Sequence, residues 1–203
     1  HRVIAYIDSH VLKGSPALAT LVREYCARHS DVITLVIDPQ IIPGGEASKN
    51  DFRLIEGLLR QLLELRMDRQ SFVIAIGGDG TLLHAAGLFA RTDTPLLGVN
   101  RGRLGFLTDV MPEDMLASVD DAIEGRCARD SRPLLSAELT TADGQRKAGL
   151  TLNDIVLQTS QIGRLVDYET WINGRFVNAH GGDGLVVASA TGSTAYALSC
   201  GGP

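Results

Sequence analysis

The sequence is short of the features that most quickly assign a chain to a class. Its three cysteines, Cys26, Cys127 and Cys200, are odd in number, far apart and without a Cys-x-x-Cys pair. That argues against a disulfide framework or a zinc site and fits a reducing compartment. No apolar run approaches the roughly 20 residues needed to cross a bilayer. The N-terminus also lacks the charged and apolar regions of a secretory signal. No membrane partner is therefore expected, and the expected compartment is cytoplasmic. The 19 basic and 24 acidic residues give a net charge of −5 with no basic stripe. Neutralising phosphates needs concentrated Lys and Arg, so nucleic acid is not an expected partner. There is no Gly-x4-Gly-Lys-Ser/Thr loop, no protein-kinase loop set and no Gly-x-Ser-x-Gly elbow. His84 and His180 lack metal-ligand spacing, so each reads as structural rather than catalytic and no protein metal site is assigned.

What is present is ordinary globular composition, 44% hydrophobic and 21% charged, in 203 residues. That length holds one large domain or two modest ones. The chain begins without Met and stops at Gly201-Gly202-Pro203 inside a glycine-rich turn, so both ends are expected to be cut from something larger. Apolar runs at 3–7, 32–37, 72–76 and 95–99 read as strands. Helical spacing appears at 17–29, at Leu54, Leu58, Leu62 and Leu65, at 81–89 and at 112–124. Strands alternating with helices imply a parallel sheet covered on both faces. After Arg132 the reading changes to successive strands at 134–140, 147–157 and 165–172, with Asp143-Gly144 and Asn173-Gly174 as two-residue hairpin turns. The expected fold is α/β: a Rossmann-like three-layer parallel sheet over residues 1–130, then a β-rich, incomplete sandwich over 131–203.

Four segments could carry chemistry. Gly77-Gly78-Asp79-Gly80-Thr81 lies between a strand and a helix, where doubly wound sheets bind ligands. Its glycines let amides approach a phosphate, and the helix start adds partial positive charge. An aspartate there would repel an anion unless it organises Mg²⁺ or takes a proton from a hydroxyl nucleophile. The plain alternative, at even odds on the pentapeptide, is a connection with Asp79 capping the helix. The loop 100–109 opens on the same sheet edge. Phe106 there is either a ring-binding residue or, favoured two to one, a core residue. Asn153 and Asp154 interrupt an apolar strand, so one faces the interior unless a ligand such as a ribose satisfies it; a buried, satisfied pair is equally plausible. The glycine-dense stretch 181–202 holds Asp183 and then Thr191-Gly192-Ser193-Thr194-Ala195-Tyr196. Thr191 to Thr194 would also make a good N-cap, but the glycine density across 181–202 favours a helix start offering hydroxyls and unpaired amides to a nucleotide.

In order, Gly77 to Thr81, Asn100-Arg101-Gly102-Arg103-Leu104-Gly105-Phe106-Leu107-Thr108-Asp109, Leu152-Asn153-Asp154-Ile155-Val156 and the stretch 183–203 resemble the NAD kinase family. The resemblance covers about 77–203 and implies transfer of the γ-phosphoryl of ATP to the 2′-hydroxyl of the adenosine ribose of NAD, giving NADP. ATP, NAD and Mg²⁺ or another divalent metal are the implied cofactors and partners. The resemblance makes Asp79 the catalytic carboxylate, base or Mg²⁺ organiser, with Gly78, Gly80 and Thr81 in the phosphate turn. Phe106 would lie near the adenine, Asn153 and Asp154 would hold ribose hydroxyls, and Asp183 would face the nicotinamide end. Thr191, Thr194, Ala195 and Tyr196 would line the dinucleotide pocket. The chain departs from the family at Ala190, where Pro is usual, and at Cys200, where Ala is frequent. Homo-oligomerisation stays open.

Residues 3–8, 43–50 and 68–78 are similar instead to a dehydroquinate-synthase-like sugar-phosphate cyclase, in which Asp8, Glu46 and Lys49 would contact NAD. Both families share Gly77-Gly78, so the expectation is a recombined or designed chimera with its seam at that turn. Cyclase chemistry is ruled out, because Leu83 stands where that family has an aspartate and its metal-binding domain is missing. Two functions follow: NAD kinase, or a non-catalytic chimera that at most binds a dinucleotide.

Overall fold

The computed structural model describes residues 3–7, 14–30, 33–37, 71–101, 105–159 and 165–202. The chain forms two compact units, His1–Asp130 and Ser131–Pro203. The expected turn at 43–45, the Leu54–Leu65 helical spacing, and Asp8, Glu46 and Lys49 lie outside the described residues.

The first unit is built on four parallel strands, β1 (Val3–Ile7), β2 (Ile33–Ile37), β3 (Phe72–Ile76) and β4 (Leu96–Val99), in the order β2-β1-β3-β4. Every residue of β3, Phe-Val-Ile-Ala-Ile, is buried; such an unbroken apolar run belongs to a strand covered on both faces. Its side chains alternate between two cores. Phe72, Ile74 and Ile76 join Val3, Ala5 and Ile7 against Leu18, Val22, Tyr25, Met115 and Val119. Val73 and Ala75 join Ile4 against Leu82, Ala85 and Phe89. The helices α1 (Pro16–Arg28) and α3 (Met115–Ile123) therefore cover one face, and α2 (Asp79–Phe89) covers the other. This is the three-layer α/β arrangement expected from the sequence.

Local chemistry sets the helix limits. Pro16 opens α1, where its missing N–H costs nothing. A 3-10 turn at Pro112–Asp114 leads into α3. The Tyr25 hydroxyl donates to the Asp120 carboxylate at 3.0 Å, tying α1 to α3. Burial and that carboxylate push the phenol up to about 12. In the register, Ile76 pairs with Val99, so the turns after β3 and β4 leave the sheet side by side.

The second unit consists of antiparallel pairs: β5 (Leu135–Thr140) with β6 (Arg146–Thr151), β7 (Asp154–Gln158) with β10 (Gly184–Ala188), and β8 (Val166–Ile172) with β9 (Arg175–Gly182). The single strand expected at 147–157 is two strands, because the carbonyls of Leu152 and Asn153 are both drawn to Ser189 and bend the chain. Asn173-Gly174 is the expected two-residue turn: Ile172 pairs with Arg175, and φ is 51° and 74° at the two positions. Asp143-Gly144 is not. Thr140 pairs with Arg146, only Gly144 has positive φ, and residues 141–145 form a longer loop closed by Thr141 N–H to the Gln145 carbonyl at 2.9 Å. Among the described residues, no helix is long and apolar enough to cross a membrane.

Candidate functional site

In the first unit the turn after β3 passes through Gly78, whose extended backbone (φ −95°, ψ −173°) starts α2 at Asp79. Asp79 is thus inside the first turn, two residues earlier than the expected helix start at 81, and it does not cap the helix. Its carboxylate faces the loop after β4 instead. Oδ2 accepts the Phe106 amide at 2.8 Å. Oδ1 accepts the Leu107 and Thr108 amides and the Thr108 hydroxyl, each at 3.0 Å. Burial pushes this carboxyl up, but the hydrogen bonds from Phe106, Leu107 and Thr108 outweigh it and hold the acid below its ordinary value of 3.8. Three peptide dipoles therefore offset the charge that would otherwise repel a phosphate from the turn.

The loop approaches closely enough to require glycine. A Cβ on Gly105 would lie 2.3 Å from Asp79 Oδ1 and 2.5 Å from Thr108 Oγ1. By contrast, a Cβ on Gly78 or Gly80 would meet nothing within 4 Å, so the turn presents open backbone at the start of α2, where the first amides have no intrahelical acceptor, although the Thr81 amide is already bonded to the Gly78 carbonyl at 2.9 Å. Below the loop, buried Asn100 donates from Nδ2 to the Thr108 carbonyl (3.1 Å) and hydroxyl (3.0 Å). The loop tip is the opposite: Phe106 is 78% exposed, not tucked into the core as its plainer reading had it.

The second unit has its own polar cluster, organised by Ser189. The Ser189 hydroxyl donates to the Leu152 carbonyl and accepts the amides of Thr191 (3.1 Å) and Gly192 (3.2 Å). Gly192 packs on Asn153, where a Cβ would lie 2.3 Å from the Asn153 carbonyl oxygen. The Asn153 side-chain oxygen is buried without a hydrogen-bond partner. Asp154 opens β7 opposite Ala188, and exposed Asp183 links β9 to β10. The regular helix expected to start at Thr191–Thr194 is absent: Ser193–Ala197 is a short π-type turn broken at Ala195 (φ −99°, ψ −118°). The Thr191 and Gly192 amides are spent on Ser189, so they do not form a helix-start anion site. An open groove of about 730 Å³ is lined by Asp183, Ser193, Tyr196 and Cys200 among others. The Cys200 thiol beside the Tyr196 hydroxyl pushes that phenol above its ordinary value.

Sequence reasoning did not single out Asn100, Thr108, Asn178 or Ser189. Asn100 and Thr108 lie within the segment 100–109, and a polar residue directly after an apolar strand is the signal that marks Asn100. Asn178, whose Oδ1 is also buried and unpaired, carries no such mark. Among the described residues no group of three or more His, Cys, Asp or Glu could hold a metal ion.

Residues 20–127 match the family model of the ATP-NAD kinase N-terminal domain, and residues 152–203 match that of the ATP-NAD kinase C-terminal domain. The chain is 47% identical over 131 residues to the NAD kinase of Chromohalobacter salexigens, covering 64% of this chain and 45% of that protein. It is 39% identical over 192 residues to the NAD kinase of Acinetobacter baylyi, covering 95% of this chain and 61% of that protein. The chain spans about half the length of the curated relatives it matches. Among solved structures, yeast NADH kinase complexed with NADH gives a TM-score of 0.71 at 20% identity, covering all of this chain and 61% of that one. An NAD kinase from Archaeoglobus fulgidus in complex with ATP gives 0.66 at 24% identity, covering 99% of this chain and 66% of that one. At those identities the structures speak for the fold alone. The N-terminal match and the Acinetobacter alignment both run across Gly77-Gly78. The expected seam there, and the cyclase-like origin of the residues before it, find no support.

Proposed function

We propose that this chain, which belongs to the ATP-NAD kinase family, serves within its intact protein to phosphorylate NAD at the 2′-hydroxyl of its adenosine ribose, using ATP. The observation that carries the reading is the open glycine turn at the end of β3, whose ionised aspartate is held by three amides of the neighbouring loop. Amide dipoles aimed at the carboxylate lower its repulsion toward a neighbouring phosphate. In the reaction the hydroxyl oxygen forms a bond to the γ-phosphorus, the bond from that phosphorus to the β–γ bridging oxygen breaks, and ADP leaves. The hydroxyl proton is released. Catalysis of this transfer is mainly positioning and electrostatic stabilisation.

The first unit supplies Gly78, Gly80 and Thr81 to phosphate, Asp79 as the catalytic carboxylate, and Phe106 to the adenine. In the second unit the unpaired buried oxygen of Asn153 suits a donor such as a ribose hydroxyl, with Asp154 beside it. Asp183 faces the nicotinamide end, and Thr191, Thr194, Ala195 and Tyr196 line the dinucleotide pocket. The family of the two matching domains, ATP-NAD kinase, supports the choice of ligands. Mg²⁺, or another divalent ion, would neutralise charge on the transferring phosphates. The described residues offer it no protein cage, which fits an ion carried mainly by the nucleotide with at most one contact from Asp79 Oδ2. The compartment is the cytoplasm, with the three thiols free.

The test is ATP-dependent NADP formation by the intact protein that contains this chain and by its Asp79→Asn variant. Loss of hydrogen bonds to a charged acceptor should lower kcat/KM about 10- to 100-fold. Turnover untouched by the substitution would remove Asp79 from the site. Calorimetric binding of NAD without NADP formation would leave a dinucleotide-binding module in place of a kinase.

A further inference from the structure

The polar groups beneath Asp79 form a chain whose hydrogen directions are fixed. The Thr108 carbonyl can only accept, so the Asn100 atom 3.1 Å from it must be the amide nitrogen. The same nitrogen lies 3.0 Å from Thr108 Oγ1 and donates to it. The hydroxyl proton is then free for one acceptor, Asp79 Oδ1 at 3.0 Å. With the Leu107 and Thr108 amides, Oδ1 has three donors, and Oδ2 takes the Phe106 amide. A carboxylate has about four lone-pair sites, two on each oxygen, so Oδ1 is fully engaged and the open site lies on Oδ2. Asn100 and Thr108 are 1% and 0% exposed, whereas the ring they support is 78% exposed.

We infer that Asn100 and Thr108 are positioning residues that act through Asp79, clamping loop 105–108 onto the start of α2 so that Phe106 stands out as a preformed platform for a nucleobase. Through Oδ1 and the Phe106 amide on Oδ2, Asp79 is the anion that orders the loop. The inference rests on the kinase reading for the identity of the ligand but not for the clamp.

The experiment compares Thr108→Val, which keeps the volume and deletes the hydroxyl, with Thr108→Ser, which keeps the hydroxyl. Steady-state kinetics with NAD and ATP are read alongside amide hydrogen exchange at 106–108 in the unliganded chain. Thr108→Val should raise KM for NAD about tenfold, leave kcat within about twofold and speed exchange at Phe106 and Leu107; Thr108→Ser should restore both readouts. Phe106→Ala should raise KM without changing exchange at Leu107 and Thr108. A fall in kcat at constant KM in Thr108→Val, or unchanged exchange, overturns the clamp. If the intact protein that contains this chain forms no NADP, the kinase reading fails while exchange still decides the clamp. If Thr108→Val does not fold, the unmodified chain decides it: protected amides at Phe106 and Leu107 support the clamp, and exchange as fast as in a free peptide overturns it.

Discussion

Asp79 places a negative charge among three peptide N–H groups and a hydroxyl, and that arrangement links its protonation to folding. Its acidity in the folded chain lies below the ordinary 3.8, whereas in the unfolded chain it is near the ordinary value. A depressed carboxyl contributes stability that is present above the unfolded value and is lost as pH falls through the folded one. Asp79→Asn should therefore be less stable than wild type at neutral pH, with the difference narrowing as pH drops below 3.8. Urea unfolding at several pH values measures this. A constant difference across the acid range would show that Asp79 does not prefer its ionised form in the folded state. The relevant partners were hidden in sequence for a simple reason. A Gly-Gly-Asp-Gly-Thr turn announces an aspartate near phosphate, but not that amides 27 to 29 residues later will occupy its oxygens.

Among the elements, local chemistry decides some features and distant contacts decide others. At Gly174 in the β8–β9 turn φ is +74°, while Gly149 within β6 has no positive φ, and neither would bring an added Cβ within 4 Å of another atom. Alanine at 174 should cost roughly 1 kcal/mol from left-handed backbone strain. Alanine at 149 should be neutral or slightly stabilising, because it restricts only the unfolded chain. Equal unfolding free energies for the two variants would contradict this. The Asn173-Gly174 turn was legible because its two residues alone set the backbone. So were β3, β4 and the helices around them, whose apolar spacing matches the layers they fill. The strand read at 147–157 was not, since its break is imposed by Ser189, which reaches Leu152 from 37 residues away. The broken turn at Ser193–Ala197 escaped for a related reason. Thr191-Gly192-Ser193-Thr194 resembles a helix start, yet Ser189 takes the amides that such a start would expose.

Over the whole molecule, apolar burial is concentrated in the first unit. The buried hydrophobic residues run from Val3 to Val119, and among the described residues after 130 only Ser189 and Gly192 are buried. Trp171, Ile172, Phe176 and Val177 on β8 and β9 are each about half exposed. With about 25 cal/mol per Å² of apolar surface removed from water, the first unit has far more to lose on unfolding. Two internal probes can report on the units separately. Trp171 is the single tryptophan and belongs to the second unit. Cys26 lies in the first core with its thiol pushed up to about 11 by burial, whereas Cys127 and Cys200 are exposed. A thiol-specific reagent should accordingly modify Cys127 and Cys200 in the folded chain, and Cys26 only after the first unit opens. In a urea series, Trp171 emission should change at lower concentration than the one that exposes Cys26. Coincident midpoints would mean that the units unfold as one cooperative body. Immediate reaction of Cys26 in the absence of urea would mean that the α1 face of the sheet is not packed as described.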